Sequence, residues 1–356
     1  MPIFAMAANE SKIRRRIGCA AATVALVAGA GVARADESGI SFWLPGQYGS
    51  LAAVPQTPGW ALGVVYYHTS VGASGNVAAA REIQVGRFSP TVNVNLNLRL
   101  AGQGDLVILA PSYTFANPVF GGQLAVSVSS WFGRNSASIA GSLTTVAGPI
   151  VTTHTGVLED ALTSYGDIVP TATLRWNQGV NNFMTYVTGD IPSGDYDPMR
   201  LANIGIGHGT FDAGGGYTYF NPASGNEFSG VAGLTYNFKN PDTQYQSGID
   251  FHFDWGASHF LSKQFFVGVA GYAFQQITDD FGQNPILGGF RSRVLGAGPQ
   301  IGYIFPVGDM KGFLGLRAYG EFDASNRPSG WNTWLTFSVS QAAPTGAAPN
   351  QHLITK

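Results

Sequence analysis

Hydrophobic and polar positions alternate with period two along most of this chain. The clearest run is Val92-Asn93-Val94-Asn95-Leu96-Asn97-Leu98-Arg99-Leu100, with valines and leucines on one face and Asn, Asn, Asn and Arg on the other. A period of two is the repeat of a β-strand whose two faces meet different surroundings. The pattern returns where Ala172, Leu174 and Trp176 oppose Thr171, Thr173, Arg175 and Asn177. Later, Ile249, Phe251, Phe253 and Trp255 oppose Asp250, His252 and Asp254, and Leu314, Leu316, Ala318 and Phe322 oppose Arg317, Tyr319, Glu321 and Asp323. Similar segments ended by Gly, Asn, Asp or Pro predict strands over 60–69, 84–100, 105–116, 122–134, 166–177, 182–190, 210–220, 227–239, 248–260, 264–277, 291–305, 311–323 and 330–340. No convincing amphipathic helix competes with them.

Thirteen segments pose a problem of parity. A single-chain bacterial barrel closes with an even number of strands, so 12 or 14 is the physical answer and one segment is split or misplaced. The connections from 135 onward also alternate in length. Long stretches (135–165, 191–209, 278–290) trade places with tight ones (Gly179–Asn181, Pro222–Asn226, Leu261–Lys263, Pro306–Met310). Long loops at one end and short turns at the other mark an outer-membrane barrel. Trp60, Trp176, Trp331 and Trp334 fall near strand ends, where headgroups would meet them. The fold expected is therefore all-β: an antiparallel transmembrane outer-membrane β-barrel of about 12 strands (14 possible) over 59–340. The competing fold is a periplasmic sandwich.

Charge favours the barrel. Of 19 Lys and Arg, five lie in the first 35 residues (Lys12, Arg14, Arg15, Arg16, Arg34), together with one of the 21 acids, Glu10. The remaining 321 residues carry 14 basic and 20 acidic side chains, net −6. A soluble chain of that length would carry roughly 80 charges. Something other than water wets part of this surface, and no basic patch remains for nucleic acid. The early cluster Lys12–Arg16, the apolar stretch Ile17–Val32 and Ala33-Arg34-Ala35 read as a secretory signal over 1–35. The single cysteine, Cys19, would leave with it, taking away any disulfide or thiolate metal site.

Residues 36–58 precede the first strand but are too apolar for water, with Phe42, Trp43, Leu44, Tyr48, Leu51 and Val54. Pro45, Pro55 and Pro58 bar a long helix, so a compact hatch tucked into the periplasmic end of the lumen is expected. Loop 135–165 is expected to fold over the outer mouth, and 341–356 to be a flexible tail. The inner wall should be lined by Asn93, Asn95, Asn97, Arg175, Asp250, His252, Asp254, Arg317, Glu321 and Asp323. Leu96, Phe251, Phe253, Leu314 and Leu316 should face lipid.

Catalytic chemistry is not visible in the sequence. None of the six histidines sits in a recognisable acid–base motif, so no enzyme and no cofactor are expected. Asp250, His252 and Asp254 share one strand face and could hold a metal or relay protons; a polar lumen wall is the simpler reading. Asp190, Asp195 and Asp197 could chelate calcium, but their spacing is not that of an EF-hand, and turn carboxylates in water are the simpler reading.

Several stretches do resemble a known family. They are Gly166-Asp167-Ile168, Thr188–Pro198, Gly207-His208-Gly209-Thr210-Phe211-Asp212, Tyr245–Trp255 leading into Phe265–Phe274, and the opening Ser41–Ser50. Together they resemble the outer-membrane family of meta-pathway phenol-degradation proteins over about residues 38–340. The last aromatic of the final strand, Phe337, is followed by a tail where such chains usually end on an aromatic. The resemblance implies a barrel or transporter linked to catabolism of aromatic compounds and carries no catalytic or ligand residues with it. The function expected is an outer-membrane channel for passive uptake of small hydrophobic or aromatic compounds. A general small-solute porin and a structural or adhesive barrel are the alternatives. Its partners would be outer-membrane lipid and small apolar or aromatic solutes.

Overall fold

A computed structural model describes residues 41–74, 95–147, 150–282 and 291–341. Thirteen strands follow in order: β1 (Gly59–Ser74), β2 (Asn95–Thr114), β3 (Gln123–Ala147), β4 (Ile150–Tyr165), β5 (Val169–Gln178), β6 (Asn181–Asp190), β7 (Thr210–Asn221), β8 (Asn226–Asn237), β9 (Asp250–Phe260), β10 (Phe265–Gln276), β11 (Arg293–Val307), β12 (Met310–Ser325) and β13 (Ser329–Gln341). All pairings are antiparallel, and β13 returns to pair with β1, so the sheet closes. The parity problem resolves at β3, which pairs with β4 along its far half and with β5 along its near half. Phe132 opposes Tyr165, and Ser129 opposes Val169, so two residues of β3 face three (166–168). That is a β-bulge. β4 and β5 are one interrupted stave, and the barrel has twelve.

Two expectations change. The stretches 84–100 and 105–116 are not two strands; β2 runs unbroken from Asn95 to Thr114 through Gly102 and Gly104. Each of those glycines is paired on both sides, Gly102 with Val71 and Ala137, Gly104 with Thr69 and Asn135, and ladder bonds on two edges outweigh the turn preference of glycine. The expected loop 135–165 is instead the far half of β3 and all of β4, a long hairpin. It holds Ser, Thr, Ala and Gly with little alternation, because beyond the lipid the outward face no longer needs apolar side chains.

Along the lipid-facing band, Val107, Leu109, Ile301, Leu314, Leu316 and Leu335 are exposed, each alternating with an inward residue. Aromatics ring the band at both edges: Trp60, Phe120 and Phe183 at the short-turn end, and Tyr66, Phe132, Tyr165, Phe211 and Phe322 at the other. An apolar belt between two aromatic girdles is how a barrel sits in a bilayer. This is an outer-membrane β-barrel. Trp334 departs from the girdle reading: it is 3% exposed and points inward from the middle of β13.

Past Phe132, β3 continues for fifteen residues, about 50 Å of strand at 3.4 Å per residue. Here the alternation of β2 turns over. Arg99 is exposed while Leu100 packs against the Ile139–Leu201 cluster with Leu158. Above the membrane the outer surface meets water, so the apolar face seeks the inside. What it finds there is the loop 191–209. Asp167, in the bulge, accepts the N–H groups of Ser193 (2.9 Å), Gly194 (2.7 Å) and Ile206 (2.8 Å). Asp160 on β4 accepts those of Leu201 and Ala202 and pairs with Arg200 at 2.8 Å. Partial burial works against the charge on Asp160, yet these donors hold its carboxyl below the ordinary carboxylate value. A side chain at Gly166 would overlap the Trp131 indole, and one at Gly194 would stand 2.6 Å from the Gly166 carbonyl carbon. Loop and wall thus touch backbone to backbone.

Leu316 lies near the middle of β12 and faces Leu335 across the ladder. Leu316→Arg should cost about 2–4 kcal/mol, the price of an arginine at the bilayer midplane, read as a lowered urea midpoint for unfolding from lipid vesicles. The same change at Lys311, beside the short turn, should leave the midpoint unaltered.

Candidate functional site: the lumen and the segment that crosses it

The segment 41–58 has no regular structure of its own. It enters the barrel at the short-turn end and crosses the interior, so its peptide groups leave water without a ladder to join. Side chains of the wall replace the ladder. Asp254 on β9 accepts from Gly46 N (2.8 Å) and Tyr48 N (3.2 Å). Glu227 on β8 accepts from Leu51 N (2.9 Å), Ser229 Oγ from Ala52 N (3.3 Å), and Thr218 Oγ1 from Ala53 N (3.0 Å). Gln123 on β3 takes Gln56 N at 2.7 Å. Carbonyls are matched too: Arg317 Nη1 donates to Gln47 O (3.0 Å), and Tyr319 OH to Gly46 O (3.2 Å). Gly46 sits at φ +87°, where an added Cβ would lie 2.8 Å from the Tyr319 ring, so only glycine turns the chain there without strain.

Trp43 is the anchor. It is 2% exposed, and its ring stacks on His252 with centroids 3.5 Å apart and planes 15° apart. Tyr186 and Tyr48 flank it, each with its centroid 5.8 Å away. Beneath, His252 Nε2 donates to Asp212 Oδ2 at 2.8 Å, and the Thr235 hydroxyl donates to the same carboxylate. His252 and Asp212 are fully buried.

The sequence-derived wall residues can now be placed. Asp250, His252 and Asp254 alternate inward with Phe251 outward, but they do not converge. Asp250 takes Asn237 Nδ2 at 2.9 Å, His252 takes Asp212, and Asp254 takes the crossing segment. Among the described residues no His, Cys, Asp or Glu cluster is arranged to hold a metal ion. Arg175 is buried and donates to Thr173 Oγ1 (2.7 Å) and Ala52 O (3.4 Å). Glu321 accepts from Tyr272 OH and Gly330 N, both at 2.8 Å. Asp323 is half-exposed at the far end of β12, paired with Arg293 at 2.8 Å. Asn93 lies outside the described residues; Asn95 and Asn97 stand opposite Thr144 and Ser142 in the long hairpin. Of the three loop carboxylates, Asp190 is buried at the end of β6, while Asp197 caps Met199 N at 2.8 Å in the turn that follows.

A cavity of about 710 Å³ remains between the crossing segment and the opposite wall, made by β1, β2, β3, β5, β12 and β13. It is lined near the outer mouth by Ile204 and Arg327, and near the short-turn end by Gln56, Lys311 and Ser340. Tyr67, Trp131 and Trp334 furnish its aromatic wall, with Val65 and Ile108 between them. The ring of Tyr67 meets that of Trp334 at 4.6 Å, and the Arg317 guanidinium lies 5.5 Å over Trp334. Sequence reasoning missed Trp334 and Trp131, because inward and outward aromatics share one alternation.

The sequence profile of a family described as "Putative MetA-pathway of phenol degradation" matches residues 86–337. Among solved structures, the COG4313 outer membrane channel from Pseudomonas putida F1 is similar at 14% identity, with a TM-score of 0.59 over 84% of this chain and all of that one. A Pseudomonas aeruginosa FadL homologue is similar at 10% identity and a TM-score of 0.39, covering 88% of this chain and 97% of its own. A search of curated proteins finds no match to the sequence.

Each peptide N–H given to a buried carboxylate is worth roughly 1.5–3 kcal/mol, so Asp254→Ala should free the segment near Gly46 and Tyr48. The expected result is a larger, noisier single-channel conductance, faster protease cleavage within 41–58, and an unchanged heat-modifiable barrel on gels.

Proposed function

We propose that this chain, which belongs to the phenol-degradation family whose profile it matches, is a passive outer-membrane channel for small aromatic compounds. The observation that carries this reading is the cavity: it extends from the outer loop 203–206 to the short-turn end at Lys311 and Ser340 along an apolar and aromatic wall. A water-filled general porin presents a polar lumen. Here the crossing segment occupies part of the lumen and leaves a passage whose walls include the rings of Tyr67, Trp131 and Trp334. Flat rings stack on such walls with modest gain, about 0.5–1.5 kcal/mol per aromatic pair. A sugar gains nothing comparable and must shed water to enter. Such weak, repeated contacts suit a pathway from which the solute has to leave again.

Selectivity then depends on the crossing segment. With it in place, solutes must pass along the aromatic wall; without it, the lumen becomes a wide polar tube. Planar-bilayer recordings test this directly. Millimolar benzyl alcohol should interrupt the ionic current of the intact channel in a saturable way, and glucose at equal concentration should not. Deleting 41–56 should abolish that distinction and admit sugars in a swelling assay. Equal block by both solutes in the intact protein, or sugar exclusion by the deletion variant, would overturn the reading.

A further inference from the structure

The charges around the lumen are sorted. Five ionisable side chains of fixed charge line the cavity: Arg175, Lys311, Arg317 and Arg327, against Glu321 alone. The chain as a whole is net −2, so this excess of cations is local. The wall does carry acids, but they lie on the other side of the crossing segment. Asp254 and Glu227 are covered by the peptide groups of Gly46, Tyr48 and Leu51, and Asp212 by His252 and Thr235. None of these three borders the cavity. Glu321 is already hydrogen-bonded by Tyr272 and Gly330.

The cations, by contrast, have no acidic partner. Among the described residues, none of Arg175, Lys311, Arg317 and Arg327 takes part in an ion pair. Arg317 donates to a carbonyl and stacks on Trp334. Arg327 lies 4.9 Å over Phe274, and its buried Nε has no hydrogen-bond acceptor. Their order along the path also has a pattern. Arg327 stands in the β12–β13 turn at the outer mouth, Arg317 midway along β12, and Lys311 at the short-turn end. Arg317 and Lys311 are six residues apart on one face, about 20 Å at 3.4 Å per residue. Cations spaced along a passage of low polarity select anions, and each hands the solute to the next.

We infer that the preferred solutes are aromatic anions, single rings bearing a carboxylate, drawn in by Arg327, held where the Arg317 guanidinium and the Trp334 ring stand together, and released past Lys311. This deepens the channel reading and rests on it. An arginine stacked on an indole presents a donor edge to a carboxylate beside an aromatic face for the ring, which neither a neutral ring nor a small inorganic anion uses in full. The physical need for a protein path is also greatest for such solutes, because a charged ring crosses hydrocarbon poorly unaided.

Three single-ring solutes of equal size provide the test on the unaltered protein: benzoate, benzyl alcohol and benzylammonium. In bilayers bathed by gradients of sodium benzoate or benzylammonium chloride, reversal potentials should give benzoate a permeability on the order of tenfold or more above benzylammonium, the scale on which a cleft of one charge sign enriches counter-ions. Arg317→Gln with Arg327→Gln should bring that ratio close to one, with heat-modifiability confirming the fold. A benzylammonium permeability equal to that of benzoate, while benzyl alcohol still interrupts the current, would overturn the assignment of anions and leave the aromatic channel standing. Retention of the full ratio by the double variant would overturn it as well. If none of the three rings enters or blocks a channel that still conducts potassium chloride, the aromatic channel itself fails.

Discussion

Everything inside this barrel follows from the need to satisfy peptide groups that have left water. The staves meet that need by closing on one another, which is the reason a sheet can cross a membrane at all. The segment 41–58 has no such ladder, and an orphaned N–H costs about 1–3 kcal/mol. Five of its successive or near-successive amides therefore find side-chain acceptors on β7, β8 and β9: Asp254 twice, then Glu227, Ser229 and Thr218. The wall in this sector is polar because the crossing backbone is polar. Trp43 adds apolar burial of the order of 1.5–3 kcal/mol, and its stack on His252 fixes the register in which those amides reach their acceptors.

That arrangement divides the lumen in two. On the β7–β9 side, Asp254, Glu227, Ser229 and Thr218 take amides of the crossing segment, and His252 pairs with Asp212. On the β1–β3 and β13 side, the wall is built of small, apolar and aromatic residues, and open space remains. The arginines belong to both worlds: Arg317 and Arg175 each give one bond to a carbonyl of the segment, at Gln47 and Ala52, and keep their remaining charge toward the cavity. Removing acid from the passage while leaving cations in it needs no dedicated device. It follows from which side chains accept N–H groups and which donate to C=O groups.

Much of this could be read from the sequence, and the parts that could not share a cause. Strict alternation betrayed the strands wherever one face meets lipid, as in Ile249–Trp255 and Leu314–Phe322. Above the bilayer the contrast fades in β3 and β4, so the hairpin 135–165 reads as a loop, and Gly102 and Gly104 read as a turn; it persists into β2, where Leu100 packs inward and Arg99 is exposed. The apolar content of 36–58, with its prolines, pointed to a sheltered, irregular segment, and residues 41–58 do lie within the barrel. Residues 1–40 and the tail beyond 341 fall outside the described residues. Which aromatics line the passage was hidden, because Trp331 and Trp334 lie three positions apart and so face opposite sides of β13. Only the register with β1 and β12 shows that Trp334 is the inward one.

The bulge at Gly166–Ile168 shows how one extra residue can join the wall to its outer covering. Because side chains alternate with period two, one extra residue would flip the face of everything after it unless a bulge absorbs it. Before the bulge the inward positions of β4 are even, Leu158, Asp160 and Leu162; after it those of β5 are odd, Thr171, Thr173 and Arg175. Run through a regular ladder, the same sequence would turn Arg175 to the outer surface and the Ala172–Trp176 face to the lumen; the bulge absorbs the extra residue and keeps Arg175 opposite Gln123 and beside the cavity. The same residue frees Asp167 from the ladder, so that its carboxylate can collect three amides of loop 191–209. The same local irregularity therefore absorbs the extra residue in the wall and anchors the outer loop. Loss of Asp167 would close the bulge into a regular ladder and leave β5 facing as it does, with Arg175 still opposite Gln123, so what it disturbs is the hold on the loop.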